Sequence, residues 1–216
     1  MLRVLQARLR LPLQGSLMNS NTTNIYLLRH GLPEGDKCLR GLTDFAITEH
    51  GLSQMQQASD GLTIDAVISS PLKRCCHFAK TYADDKNLSF ETMSDFAEMN
   101  FGDWDGKPFS ELFEHHNSQI MAFFKSPYSV SPPNGETMVA FNQRVTTAFK
   151  FVCQQYQGKN LLLVSHAGVM REILQLVLGV QQSDGQFQQS IDLAYASLLK
   201  ISVINDKGDY FYRLHL

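Results

Sequence analysis

The chain has 216 residues, 44% of them hydrophobic, enough to bury one sizeable core and consistent with a single domain. Nineteen Lys and Arg against 21 Asp and Glu leave a formal charge of -2, so no global basic field of the kind needed for nucleic acid or an anionic membrane exists, and any affinity for anions must be local. No apolar run approaches the ~20 residues that span a bilayer, and Cys38, Cys75, Cys76 and Cys153 show no metal-ligand spacing and suit a reducing cytoplasm.

The first seventeen residues, MLRVLQARLRLPLQGSL, carry three arginines and no acid, superficially like a transit peptide, and a second methionine follows at Met18. Residues 1–23 read as a disordered leader or an upstream start, a short surface segment being the alternative, and 24–216 as the domain. NIYLLR (24–29) is an apolar run ending in Arg29, His30 and Gly31, and DAVISS (65–70) is another, leading into PLKR. Both read as buried strands followed by helical patterns. A further strand is expected at 88–92. Residues 95–135, with the Phe-rich FSELFEHHNSQIMAFF, then form a helical insertion lying over the strand ends, closed by the loop SPPNGE. Met138, Phe141, Val145, Ala148, Phe149 and Val152 recur at helical spacing, predicting a long amphipathic helix that stops near Gly158. NLLLVSH (160–166) repeats the strand-to-helix pattern, and SLLKISVI (197–204) and YFYRLHL (210–216), separated by NDKGD, read as a hairpin. Uninterrupted apolar strands alternating with helices predict an α/β fold with a mostly parallel sheet covered on both faces.

Ligands of such sheets collect beyond the carboxyl ends of the strands, where Arg29, His30, Ser69, Ser70 and His166 all fall. In SSPLKR, Ser70 can cap a helix that Pro71 begins, placing Arg74 about one turn in. A cation there opposes the helix dipole unless an anion lies between them. In SHAGV, the Ala167 and Gly168 amides open another helix as unpaired donors, and Gly168 permits close backbone approach. Two helix starts and two arginines therefore converge on one anion, and a phosphate satisfies them.

His30 is then the candidate nucleophile, kept neutral by the cations around it. His166 would stabilise the developing charge. A leaving alkoxide still needs a proton, and Glu98 in FAEMNFGDWDG is the first candidate, its carboxyl expected to rise in pKa beside a phosphate dianion; Asp95, Asp103 and Asp105 are rivals on composition alone. His115 and His116 read as a solvated helix face and Trp104 as packing, while His50, His77 and His215 receive no role.

LLRHG, SSPLKR, EMNFGDWDG, PPNGET and VSHAGVMREIL, in that order over about residues 24–204, resemble the histidine phosphatase superfamily, which includes the cofactor-dependent phosphoglycerate mutases. The resemblance implies a three-layer α/β/α sandwich that needs no metal and no cofactor. By the same resemblance His30 would be the phosphohistidine nucleophile, Arg29, Arg74 and His166 the phosphate pocket, and Glu98 the proton donor. The first loop, GLPEGDKCLRGLTDFAITEHG, is similar to that of bacterial α-ribazole phosphatases, which implies that Gly41, Leu42 and Thr43 approach the phosphate and that the substrate is α-ribazole 5'-phosphate in cobalamin nucleotide-loop assembly.

The chain departs from the mutases at Leu32, in lacking a clear counterpart of the loop asparagine, and in lacking the long insertion after Glu98, which favours hydrolysis over phosphoryl exchange. The expected partner is a small phosphorylated metabolite, with neither nucleic acid nor membrane involved; the oligomeric state is left open, a dimer being one option. A mutase or broad metabolite phosphatase remains an alternative. A phosphate-binding module without activity is a weaker one, because both histidines, both arginines and Glu98 are present.

Overall fold

The computed structural model of the protein describes residues 22–35, 37–181 and 185–215. Residues 1–21, which hold most of the predicted leader, lie outside the described residues, as does Leu216 of the last predicted strand. Strand β1 (Thr22–Arg29) starts two residues ahead of the expected boundary, because Thr22 and Thr23 pair with Ile204 and Val203.

The helices are α1 (Glu49–Ala58), α2 (Lys73–Asp85), α3 (Phe109–Lys125), α4 (Met138–Gln155), α5 (Ala167–Leu178) and the short α6 (Gln186–Ser190). The strands after β1 are β2 (Ala66–Ser69), β3 (Ser89–Thr92), β4 (Asn160–Ser165), β5 (Leu198–Asp206) and β6 (Asp209–His215), giving a six-stranded sheet in the order β3-β2-β4-β1-β5-β6. The first four strands pair in parallel, whereas β5 runs antiparallel to β1 and to β6. The β5–β6 turn places Lys207 at φ 54° and Gly208 at φ 98°, the two successive positive values of a tight hairpin.

The alternation of side chains along a strand sorts the core into two layers. Leu161 and Leu163 of β4, with Ile25 and Leu27 of β1, face Val145 and Phe149 of α4 and Val169, Met170 and Ile173 of α5. Leu162 and Val164, with Leu28 and Val67, face Met55 of α1 and Cys75, Phe78 and Ala79 of α2. The result is the expected three-layer α/β/α arrangement. It is held by burial of aliphatic side chains on both faces at once, which is why the strands read as unbroken apolar runs.

Residues 95–135 contain two 3₁₀ turns, Ser94–Phe96 and Gly102–Trp104, and α3, which departs from helical geometry at His116 (φ -132°, ψ 19°). Leu112, Ile120 and Phe123 of α3 pack into the core layer shared with α4 and α5, and Trp104 is buried edge-on against Phe123. His115 is exposed and His116 half-buried at the kink.

β1 and β4 are neighbours, yet the helix after β1 covers one face and the helix after β4 covers the other. Chains that leave adjacent parallel strands in opposite directions open a crevice at the strand ends. His30 and His166 are the first residues beyond those two ends.

Candidate active site

Register alone sets the spacing of the two imidazoles. Arg29 pairs with Ser165, and the His30 amide donates to the Ser165 carbonyl at 2.9 Å. Adjacent strands lie about 4.8 Å apart, and the ring centroids of His30 and His166 are 5.3 Å apart at 62°.

His30 Nδ1 lies 2.8 Å from its neighbour's carbonyl, Gly31 O, which only accepts. Nδ1 therefore carries the hydrogen, and the Nε2 lone pair is left open. Burial, and then the Arg74, Arg29 and Arg40 guanidiniums, push the His30 imidazole down to about 3. The ring is neutral at physiological pH, as a nucleophile requires. His166 is fully buried and is likewise held well below the usual imidazole range, by burial first and Arg74 next. Its Nδ1 accepts from Arg74 Nε at 3.3 Å, so its Nε2 holds the hydrogen and donates to Ser70 Oγ at 2.7 Å.

That bond explains Ser70, whose expected role as a helix cap is not what the structure shows. Helix α2 begins at Lys73 with Leu72 as its N-cap, and the Lys73 amide is taken by the Asp44 carboxylate at 2.7 Å. Arg74 is accordingly the second helical residue rather than one turn in. The anion that relieves a cation at this helix start is thus in part a side chain from the first loop.

Arg74 is fully buried and donates from Nη1 to Thr43 O at 3.0 Å and from Nη2 to Gly41 O at 2.6 Å. With the bond to His166, three of its five N–H are engaged, and the others remain for an anion. The Gly41, Leu42 and Thr43 amides, expected to approach phosphate, are held by the Asp105 carboxylate at 3.0, 2.6 and 3.2 Å. The loop thus meets Arg74 with its carbonyls and Asp105 with its amides.

Glu98 is 9% exposed, and its two oxygens accept the Met99 amide at 3.0 Å and the Gly168 amide at 3.1 Å. The Gly168 donor, expected to serve phosphate, is therefore occupied by the carboxylate. An added β-carbon at residue 168 would stand 2.2 Å from Glu98 Oε1, so a side chain there would displace the acid. Among the described residues, no acceptor engages the Ala167 amide at the same helix start. Arg144 fixes the backbone around Glu98, donating to the carbonyls of Asp95 (2.7 Å), Ala97 (2.9 Å) and Glu98 (3.1 Å) while paired with Glu136 at 2.8 Å. Glu136 belongs to the PPNGET stretch, so that motif supports Glu98 from behind.

Arg29 donates from Nη1 to Leu193 O, and its guanidinium lies 4.2 Å over the Tyr195 ring, which is also 5.6 Å from the His30 ring. Glu98, Arg171 and Asp192 are close enough to act electrostatically on Arg29. Tyr195, Arg171, Arg40, Arg144 and Asp105 as a loop anchor escaped the reading of the sequence. No local pattern marks them, and Arg171 lies unremarked within VSHAGVMREIL. The Cys75 thiol lies 3.6 Å from His166 Nε2, but burial pushes it far up and leaves it uncharged, so it is no rival nucleophile. Among the described residues no group of three or more His, Cys, Asp or Glu side chains is placed to hold a metal ion, and no helix is long and apolar enough to cross a membrane.

Two neutral imidazoles, converging guanidiniums and one carboxylate at the switch point of a parallel sheet define a phosphate-handling enzyme of the α/β class. The chain belongs to the histidine phosphatase superfamily (branch 1), whose profile matches residues 25–211, and it is a phosphatase of that family. It is 28% identical over 161 residues to the adenosylcobalamin/alpha-ribazole phosphatase of Escherichia coli (strain K12), covering 72% of this chain and 79% of the relative. It is also similar to phosphoserine phosphatase 1 of Hydrogenobacter thermophilus, at 25% identity over 205 residues and 88% and 97% coverage. Among solved structures, a putative alpha-ribazole-5'-P phosphatase from Escherichia coli K-12 superposes with a TM-score of 0.78 at 25% identity, covering 91% of this chain and 96% of that one.

Proposed function

We propose that the protein hydrolyses phosphomonoesters through a phosphohistidine on His30, with α-ribazole 5'-phosphate as substrate. The observation that carries the chemistry is the pair of neutral rings 5.3 Å apart, with the His30 Nδ1 hydrogen committed to Gly31 O and Nε2 open. In the first step Nε2 forms a bond to phosphorus as the ester P–O bond breaks, and the Glu98 carboxyl gives its proton to the leaving alkoxide. In the second, Glu98 takes a proton from water as the water oxygen attacks phosphorus, and the P–N bond breaks to release inorganic phosphate and free His30. Arg29, Arg74 and His166 carry the charge of the transferring group. Burial of both histidines and Glu98 limits water around the phosphorus.

The substrate proposal rests on the similarity to phosphatases named for α-ribazole and on the first loop. It places the protein in cobalamin nucleotide-loop assembly in the cytoplasm. Comparable similarity to a relative named for phosphoserine favours a second reading, a broader metabolite phosphatase. A phosphate-release panel containing α-ribazole 5'-phosphate, phosphoserine and 3-phosphoglycerate separates the two. Specificity for the first, measured as kcat/KM, is the expected result, and flat activity across the panel rejects it. His30→Ala should abolish both turnover and the acid-labile phosphoprotein; unchanged hydrolysis would remove the mechanism.

A further inference from the structure

The segment entering β5 is bent to aim one aromatic ring at the site. Ala196, directly after Tyr195, is 9% exposed and sits at φ 57°, a left-handed conformation that a residue with a β-carbon adopts only under constraint from its surroundings. The constraint is visible in the backbone. The Ala196 amide donates to His30 O at 3.2 Å, Ser197 to Ala194 O at 3.1 Å, and Arg29 to Ser197 O at 3.0 Å. The bend is therefore tied on both sides to the dipeptide that bears the candidate nucleophile and its arginine. Regular extension of β5 through Tyr195 would need none of this. With the bend, the Tyr195 ring meets His30 at 5.6 Å and lies under the Arg29 guanidinium at 4.2 Å.

Arg29 needs such support. Among the described residues its guanidinium donates from Nη1 to Leu193 O, and its Nε is buried without a partner. A guanidinium held at a single nitrogen can still pivot, whereas one whose carbon also sits over a ring loses part of that freedom and gains the attraction of the ring face. The unpartnered Nε is then presented in a fixed direction.

We propose that Tyr195 is a positioning residue of the phosphate pocket, its ring acting as the shelf that holds the Arg29 guanidinium beside His30. The inference rests on the phosphatase reading above and adds a residue to it. Tyr195 acts through Arg29 and performs no chemistry itself, so its loss should weaken binding of the phosphoryl group more than it slows the chemical step.

The test uses the full chain, with inorganic phosphate as probe by titration calorimetry and kcat and KM for phosphate release. Tyr195→Leu should weaken phosphate binding and raise KM by about tenfold, the effect of losing one partly desolvated cation–ring contact, with a smaller change in kcat. Tyr195→Phe, which keeps the ring, should restore both to within about threefold of the unmodified chain. In an Arg29→Gln background, Tyr195→Leu should add less than about twofold, because the contact it removes is already gone. Melting temperatures identify any variant that has lost its fold, and the phenylalanine variant keeps the test available in that case. Equal losses in Tyr195→Phe and Tyr195→Leu, or an undiminished leucine effect without Arg29, would overturn the inference while leaving the phosphatase reading intact. An unmodified chain that neither binds phosphate nor hydrolyses phosphomonoesters would overturn both.

Discussion

Asp105→Asn should cripple phosphate release while leaving the fold in place. One Asp105 oxygen accepts the Gly41 and Thr43 amides and the other accepts the Leu42 amide at 2.6 Å, and the same loop grips Arg74 through its Gly41 and Thr43 carbonyls. Asparagine offers a single oxygen, so whichever way its amide turns, at least one backbone N–H faces an NH₂ group. A hydrogen bond to a charged acceptor contributes about 1.5–3 kcal/mol. Leu42 and Thr43 are exposed, which argues for the low end, so losing one bond and gaining one donor clash costs about 2 kcal/mol of loop order. That corresponds to roughly a 30-fold fall in kcat/KM if Arg74 is productive only when the loop is ordered. Asp105→Ala should be at least as damaging. Both variants should melt within a few degrees of the unmodified chain, because the loop contributes little to either core layer. The assay is initial-rate phosphate release with melting followed by circular dichroism. A kcat/KM within threefold of the unmodified value for both variants would refute the argument that Asp105 organises the pocket from beneath.

Two further outcomes follow from other parts of the structure. Gly168→Ala puts a β-carbon 2.2 Å from Glu98 Oε1, so the acid should be displaced and kcat for an alkyl phosphate should fall by ~10²-fold, the usual contribution of a positioned general acid. An aryl phosphate with a good leaving group needs no proton and should lose far less, and equal losses for the two substrates would argue against Glu98 as the donor. Glu172 is fully buried among Asn142, Tyr128 and Gln188, and burial pushes its carboxyl from the usual 4.5 up to about 7. A raised carboxyl makes the folded chain bind the extra proton between those values, so stability falls as pH rises through that window and is level above it. Glu172→Gln takes up no proton there. The stability difference between the two chains, from urea unfolding at pH 4.5 and pH 8, should therefore shift by about 3 kcal/mol in favour of the variant at the alkaline end. A difference independent of pH would show that Glu172 does not titrate in this range.

The elements that could be read in advance are those whose signal is local. β1, β2, β4 and the β5–β6 hairpin are short apolar runs between turn residues, legible within one or two residues of their ends, and α4 carries its apolar face at helical spacing but stops at Gln155, three residues before Gly158. His30 and His166 could be recognised as site residues because each follows directly on a strand. Ser70 was misjudged for the opposite reason. A serine before a proline looks like a cap from its neighbours alone, and nothing nearby reveals that an imidazole 96 positions later donates to its hydroxyl at 2.7 Å.

The same limit applies to the amides of Gly41, Leu42, Thr43 and Gly168. Their capacity to donate was plain, but their partners, Asp105 and Glu98, come from other parts of the chain. Tyr195 belongs to no motif that singles it out, and the left-handed turn at Ala196 that aims it has no glycine or asparagine to announce it.

By itself the sequence determined the alternation of strands and helices, the two-sided burial of the sheet, and the residues that end β1 and β4, because hydrophobic periodicity and turn chemistry act over a few positions. Only the tertiary structure decided which donors meet which acceptors in the crevice. That choice depends on strand order and on loops approaching from distant segments, and each buried polar group must find a partner in three dimensions whatever its neighbours along the chain.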